Sequence, residues 1–133
     1  MDFTILAFCH PYCLEGKCNM QMSEIWHSKK NDCRLSRTQV CTLVNGKDNV
    51  FEKALLTLVL LSYIQAFVDG NKRTARITSN AILIANGYCP ISFRTVDSID
   101  YKKAMLMFYE QNNIAAFKKI FIEQFLFAVK TYF

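Results

Sequence analysis

The feature that most constrains the fold is an apolar run that stops abruptly at a charged turn. Residues 54–64 are apolar apart from the hydroxyl groups of Thr57, Ser62 and Tyr63. A helix that is apolar on every side is normally buried at the centre of a globular core. Gly70 then interrupts the helical pattern, and a second helical pattern follows it. The sequence therefore predicts a central buried helix joined to a second helix by a short polar loop.

The composition of the chain fits a single helical domain. Its 133 residues are 52% hydrophobic and 20% charged, which is enough to bury one core. Four glycines and two prolines are too few for a turn-dense β-sandwich or barrel. We predict an all-α fold, a compact helical bundle, in one domain over residues 1–133. Its core spans about residues 48–133, whereas residues 1–47 are irregular.

Charge and hydropathy exclude several classes of partner. The formal net charge of +5 gives a mild preference for anionic partners. The charge is dispersed and no docking motif accompanies it, so we do not expect binding to nucleic acid. The run at residues 54–64 is shorter than the roughly 20 apolar residues that a membrane-spanning helix needs. We therefore expect no membrane partner.

The cysteine pattern predicts reduced thiols. Six cysteines are present, yet the first residues lack the basic start of a signal peptide, so we expect a cytoplasmic protein without disulfides. His10 lies between Cys9 and Cys13, a spacing that differs from the paired CxxC ligands of a zinc site. We therefore predict free thiols and no zinc site there.

Cap and break signals divide the better-defined part of the chain into four helices. We predict them at about residues 49–67, 72–86, 98–111 and 114–131. Residues 21–30 could form one more short helix, and the pattern at residues 37–44 fits a short strand or a short helix. Apolar residues at helical spacing predict the inward faces. They are Ile77, Ala81, Ile84 and Ala85 on the second helix, Tyr101, Ala104, Met105 and Phe108 on the third, and Ile114, Phe117, Phe121, Phe125 and Ala128 on the last.

The loop between the first two of these helices has the composition of a phosphate site. Gly70 can adopt a positive φ, which lets successive backbone N–H groups turn towards an anion. The next helix directs its positive N-terminus at the same point. Lys72, Arg73 and Arg76 add full charges, and Asp69 beside them predicts a Mg²⁺ ion shared with two phosphates. The alternative is a helix start with surface cations. No GxxxxGK[ST] pattern is present, so this is not a P-loop.

Residues 65–76 resemble the signature of the Fic/Doc family (the filamentation-induced-by-cAMP domain), which is His-x-Phe-x-(Asp/Glu)-Gly-Asn-(Gly/Lys)-Arg-x-x-Arg. The positions that fit are Phe67, Asp69, Gly70, Asn71, Lys72, Arg73 and Arg76. Flanking segments are also similar to this family. They are residues 51–54, 79–83, 92–94, 101–104 and 108–111 and the Phe-rich last helix, so that the resemblance covers about residues 48–133.

The resemblance implies an all-α protein that binds ATP with Mg²⁺ and moves AMP onto a hydroxyl of a target protein. By position, Asp69 would hold Mg²⁺, and Gly70, Asn71 and Lys72 would line the anion hole. Arg73 and Arg76 would hold the phosphate tail, and Phe67 would anchor the loop in the core. A lysine at the position of Lys72 also occurs in the Doc-type kinase branch of the family, whose members transfer the terminal phosphate. The implied partners are the nucleotide, a target protein with a Ser, Thr or Tyr hydroxyl, and an antitoxin or inhibitory partner of the kind that bacterial toxins have.

The sequence departs from the family signature where the reaction would occur. Gln65 stands in place of the catalytic histidine, and an amide cannot act as a general base near neutral pH. The loss of a general base typically costs about 10²- to 10⁴-fold in rate. Ala66 replaces the proline that is usual in active members. We therefore predict a Fic-like nucleotide-binding protein, related to protein adenylyltransferases, that is catalytically impaired.

Two other functions remain open. One is an active transferase of AMP or, through Lys72, of phosphate, in which Gln65 only orients the hydroxyl. The other is a partner-binding scaffold that keeps the fold without the nucleotide.

Residues 31–46 are the candidate for the β-hairpin flap with which the family clamps its target. The family's self-inhibitory pattern, Ser/Thr-x-x-x-Glu-(Gly/Asn), is absent, which leaves Arg76 without that partner within the chain.

Overall fold

A computed structural model describes residues 37–65 and 67–133 of the chain. Within these residues the protein has five α-helices and no strand. They are α1 (Arg37–Asn45), α2 (Val50–Ile64), α3 (Asn71–Ala85), α4 (Ser98–Gln111) and α5 (Ala115–Tyr132). The predicted all-α class is confirmed. The predictions made for His10, Cys9 and Cys13 and for a helix at residues 21–30 lie outside the described residues.

Helix α2 is the buried centre of the fold, as its apolar sequence predicts. It packs most extensively against α3 and also contacts α1. Two of its three hydroxyl residues, Thr57 and Ser62, are buried with the apolar ones, and the Ser62 hydroxyl donates to the carbonyl of Leu58 at 2.8 Å. The helix begins after Asn49, whose side-chain oxygen accepts the N–H of Phe51 at 2.8 Å. It ends at Ile64, earlier than the predicted end near residue 67.

Residues 37–44, for which the sequence left both a strand and a helix open, belong to helix α1. Val40 and Val44 are buried in the common core, and their spacing of four residues puts them on one face of a helix. The part of the candidate β-hairpin flap that the structure describes is therefore helical, so that this prediction is wrong for residues 37–45. Residues 31–36 lie outside the described part.

The predicted inward face of α3 is wrong. Ile77 and Ile84 are 63% and 58% exposed. The residues that are buried lie about one position away around the helix. They are Ala75, Thr78, Ser79, Ile82 and Leu83. The physical reason is the close approach of α2, because the Ser79 hydroxyl donates to the carbonyl of Ala54 at 2.8 Å. Small hydroxyl residues allow this approach, and a search for large apolar residues alone does not find them.

Helices α4 and α5 complete the core as predicted. Asp97 caps α4 by accepting the N–H of Ile99 at 2.9 Å, and all four residues of the predicted α4 stripe are buried. Phe117, Phe121 and Ala128 of α5 are buried, while Ile114 and Phe125 pack half-buried against the core. The buried amide of Gln124 was not predicted. It exchanges hydrogen bonds with the Thr95 hydroxyl at 2.8 and 3.0 Å.

Two further findings concern the covalent and membrane state of the described residues. Cys89 is a buried free thiol. Among the helices that the structure describes, none combines the length and the apolar character that crossing a membrane requires.

Candidate nucleotide site

The loop between α2 and α3 begins and ends with left-handed backbone. Gln65 terminates α2 at φ 43° and ψ 56°, and its side chain is exposed. Gly70 begins α3 at φ 80°, which confirms the positive φ predicted there. Because Gly70 has no side chain, no side-chain cap binds the first N–H groups of α3. The positive end of α3 is therefore presented at the loop.

Asn71 closes the loop on itself. Its side-chain oxygen accepts the N–H of Phe67 at 2.8 Å, and its side-chain N–H donates to the carbonyl of Phe67 at 2.7 Å. This double hydrogen bond holds the loop by its backbone. The prediction that Phe67 anchors the loop in the core is wrong, since its side chain is 44% exposed. With its amide occupied in this way, Asn71 would line an anion hole through its backbone N–H.

Asp69 and Arg73 form an ion pair across the start of α3. One carboxylate oxygen of Asp69 accepts the N–H of Gly70 at 2.6 Å, and the other lies 3.1 Å from an Arg73 nitrogen. Both side chains are mostly exposed. No cluster of three metal-ligating side chains occurs within the described residues. A Mg²⁺ ion on Asp69 would therefore draw most of its oxygen ligands from water and from a bound phosphate chain, which is how Mg²⁺ is commonly held.

Arg76 has very different surroundings from Arg73, although the two lie one turn apart on α3. Its guanidinium carbon lies 4.8 Å from the ring centre of Tyr101 and 5.5 Å from that of Phe93. Tyr101 and Phe93 were not predicted as site residues. Both could be found in the sequence only as core aromatics, since nothing in their spacing relates them to Arg76.

The structure thus brings together most of the predicted site residues. Gln65, Asp69, Gly70 and Asn71 belong to one short loop and the helix start that follows it, and the exposed Lys72 and Arg73 continue that helix. Arg76 lies one turn later on α3, with its guanidinium against the rings of Tyr101 and Phe93. A separate apolar groove of about 300 Å³ lies between α5 and the opposite, N-terminal end of α2, and none of the loop residues lines it.

Comparison with known proteins supports the resemblance seen in the loop. The model of the Fic/DOC family matches residues 19–83. A segment of 50 residues, 38% of the chain, is 48% identical to a protein adenylyltransferase Fic of Nematostella vectensis. A segment of 61 residues, 45% of the chain, is 43% identical to a probable protein adenylyltransferase of Aquifex aeolicus (strain VF5). Over residues 19–83 the chain is similar to the Fic/DOC family.

The matches cover part of the chain and a small part of each relative. The Fic/DOC match begins before α1 and ends within α3, so that α4 and α5 lie beyond it. The matched segments cover 12% and 19% of the two relatives' own lengths. No solved structure matches the chain significantly. The similarity to the family therefore covers a part of the chain that includes the central helix pair and its loop.

Proposed function

We propose that this chain is a Fic-like protein that binds ATP with Mg²⁺ at the loop of residues 65–76 and transfers AMP slowly or not at all. The observation that carries the proposal is the start of α3. Gly70 at φ 80° leaves the helix N-terminus without a side-chain cap, beside the exposed Lys72 and Arg73. Uncapped N–H groups, the helix dipole and adjacent cations together favour a bound phosphate chain.

In this proposal nucleotide binding exchanges partners within the loop. Asp69 would leave Arg73 and contact Mg²⁺, while Arg73 would contact phosphate oxygens. Each charge then gains a new partner of opposite sign. The exposed Asp69–Arg73 pair costs little to separate, since surface ion pairs contribute about 0–1 kcal/mol. The clamp of Asn71 on Phe67 keeps the loop in shape during the exchange.

The reaction would be slow because of Gln65. In the resembling family, a histidine at this position removes the proton from the attacking hydroxyl. Gln65 stands at this position, directly after the C-terminal end of α2, and its amide can only donate or accept hydrogen bonds. It can orient a hydroxyl without deprotonating it.

The relatives' names favour AMP as the group transferred by any remaining activity. The names of the two relatives from Nematostella vectensis and Aquifex aeolicus both describe a protein adenylyltransferase. The acceptor would then be a Ser, Thr or Tyr hydroxyl of a target protein. Lys72, which also fits the phosphate-transferring branch, is placed at the helix start where it could contact phosphate in either reaction. An inhibitory or antitoxin-like partner would act by supplying a carboxylate to the cations of the loop.

Calorimetry with Mg·ATP tests the binding proposal. We expect binding by the wild type and a loss of about tenfold or more in Arg73→Ala, because a charge-assisted contact to phosphate is removed. Lys130→Ala, which removes an exposed cation from the last turn of α5, serves as the matched control and should bind like the wild type. Absence of binding at millimolar Mg·ATP by the folded wild type would refute the proposal.

Transfer is tested separately with ATP labelled at the α- or the γ-phosphate in a cell lysate. We expect little labelling by the wild type and a gain of about 10²-fold or more in Gln65→His, which restores a base at this position. Label from the α-phosphate identifies AMP transfer, and label from the γ-phosphate identifies phosphate transfer. Strong labelling by the wild type that disappears in Arg73→Ala would show an active transferase instead.

A further inference from the structure

Within the part of the chain that the structure describes, the guanidinium of Arg76 lies against ring faces and is not paired with a carboxylate. Tyr101 and Phe93 lie 4.8 and 5.5 Å from its central carbon, within the range of cation–π attraction. Among the described residues no carboxylate lies within ion-pair distance of Arg76, whereas Arg73 is paired with Asp69. The Nε–H of Arg76 is also buried without a hydrogen-bond partner in this part of the chain.

This difference matters for anion binding. A carboxylate that positions an arginine also neutralises it and competes with an incoming anion. A ring face attracts the cation without taking up its N–H groups, because stacking uses the face of the guanidinium and leaves the donors in its plane. An arginine held by aromatic rings is therefore ordered and still has its hydrogen-bonding capacity and its charge available.

The rest of the structure keeps the two rings in place. Phe93 has a positive φ of 54°, a strained conformation for a residue with a side chain. The strain is maintained by the connector, because the side chain of Asn80 accepts the N–H of Ile91 at 2.9 Å and donates to its carbonyl at 3.0 Å. Asn80 lies one turn after Arg76 on α3. The same helix therefore carries both the cation and the residue that holds the connector leading to Phe93.

Tyr101 is fixed from the other side. It is 5% exposed, and its ring packs edge-on against Phe93 and Phe117 at 5.7 and 5.1 Å between ring centres. Its hydroxyl is buried and makes no well-formed hydrogen bond among the described residues, although the Arg76 guanidinium lies near enough to affect its ionisation. Burial raises the pKa of Tyr101, and the adjacent Arg76 guanidinium lowers it by less, so the ring beneath Arg76 stays neutral near pH 7.

We propose that Tyr101, together with Phe93, is a positioning residue that holds Arg76 in an ordered and un-neutralised state for an anionic group of the ligand, in the first instance the phosphate chain of ATP. This inference rests on the proposed function and adds two residues to it. The aromatic pair orders a cation of the site, and the ligand supplies the negative charge that Arg76 does not receive from residues 37–65 and 67–133.

Calorimetry with Mg·ATP on single and double variants tests this role. Tyr101→Leu removes the ring face and should weaken binding by about 5- to 30-fold. Tyr101→Phe keeps the ring and removes only the buried hydroxyl, so it should bind within about twofold of the wild type. The double variant Arg76→Ala with Tyr101→Leu should bind no more weakly than Arg76→Ala alone. Additive losses would show that Tyr101 acts apart from Arg76 and would overturn the proposal.

A matched core variant separates positioning from stability. Phe121→Leu also replaces a buried aromatic residue, but the rings in contact with Arg76 are those of Phe93 and Tyr101. It should lower the melting temperature while leaving Mg·ATP binding unchanged. An equal loss of binding in Phe121→Leu would show that Tyr101 affects binding only through the packing of the core, as any buried residue can. Phe93→Leu is the second test variant if Tyr101→Leu does not fold, and it should weaken binding in the same direction.

Nuclear magnetic resonance of the ligand-free protein tests the arrangement without any nucleotide. The Nε–H resonance of Arg76, assigned by its loss in Arg76→Ala, should be shifted upfield by the two rings and exchange slowly with solvent. Tyr101→Phe should keep this shift, and Tyr101→Leu should move it towards that of a free arginine. A free-arginine shift in the wild type would refute the aromatic support. If the wild type does not bind Mg·ATP, the nucleotide proposal fails, and this resonance alone decides whether the rings order Arg76.

Discussion

The carboxylate of Asp69 lies 3.1 Å from the guanidinium of Arg73, across the first turn of α3. The two residues that the family resemblance assigns to the metal and to the phosphate chain are therefore partners of each other in this loop. Side-chain exposures of 76% for Arg73 and 89% for Asp69 make this a weak pair that a ligand can separate.

The first prediction concerns the separate contributions of this pair to stability and to binding. Arg73→Ala should change the free energy of unfolding by no more than about 1 kcal/mol, because an exposed ion pair contributes little. Urea denaturation measures this change, and the calorimetric loss of Mg·ATP affinity provides the comparison. A large destabilisation without an effect on binding would assign Arg73 to the structure of the loop and not to the ligand.

The second prediction concerns the clamp of Asn71 on Phe67. Asn71→Ala removes two hydrogen bonds to the Phe67 backbone, of 2.8 and 2.7 Å. We expect a loss of stability of about 1 kcal/mol, at the low end for two bonds because both groups can bind water in the exposed loop. Hydrogen exchange of the Phe67 amide should become faster. Asn71→Asp keeps the acceptor and should preserve more of that protection than Asn71→Ala does, and unchanged exchange in Asn71→Ala would contradict the clamp.

The third prediction uses two glycines with the same backbone conformation. Gly70 and Gly87 have φ values of 80° and 79°, where a Cβ atom is strained. Each change to alanine should cost about 1 kcal/mol of stability. Only Gly70→Ala should also weaken Mg·ATP binding, since Gly87 lies beyond the other end of α3. Equal binding by the two variants would show that the backbone at Gly70 does not shape the nucleotide site.

The sequence predicted the helices and their ends well where the signals are local. Asn49 and Asp97 cap α2 and α4 through their own side chains, and Gly70 breaks the chain where a positive φ is required. Such features depend on a few neighbouring residues. They can therefore be recognised without knowing which helix packs on which.

The wrong inward face of α3 and the unpredicted surroundings of Arg76 both come from contacts between distant parts of the chain. The inward face of α3 depends on the bond from Ser79 to Ala54, residues 25 positions apart, which brings two helices close together. The aromatic support of Arg76 likewise depends on how the connector and α4 return to α3. Neither relationship leaves a periodic signal, so the sequence pointed to Arg76 as a phosphate ligand without indicating what orders it.

The fourth prediction concerns Tyr109 and alkaline pH. Burial, with a smaller contribution from Tyr101, raises the pKa of Tyr109 to about 12. In the unfolded chain the phenol loses its proton near its ordinary pKa of about 10. Above that pH the unfolded state holds fewer protons than the folded state, so the stability that is fully present below about pH 10 should fall as the pH rises towards 12. Urea denaturation at pH 9 and at pH 11.5 measures the loss. Tyr109→Phe cannot ionise and should lose less stability between these pH values than the wild type, whereas an equal loss in both would show that other groups, such as Tyr101, cause the alkaline unfolding.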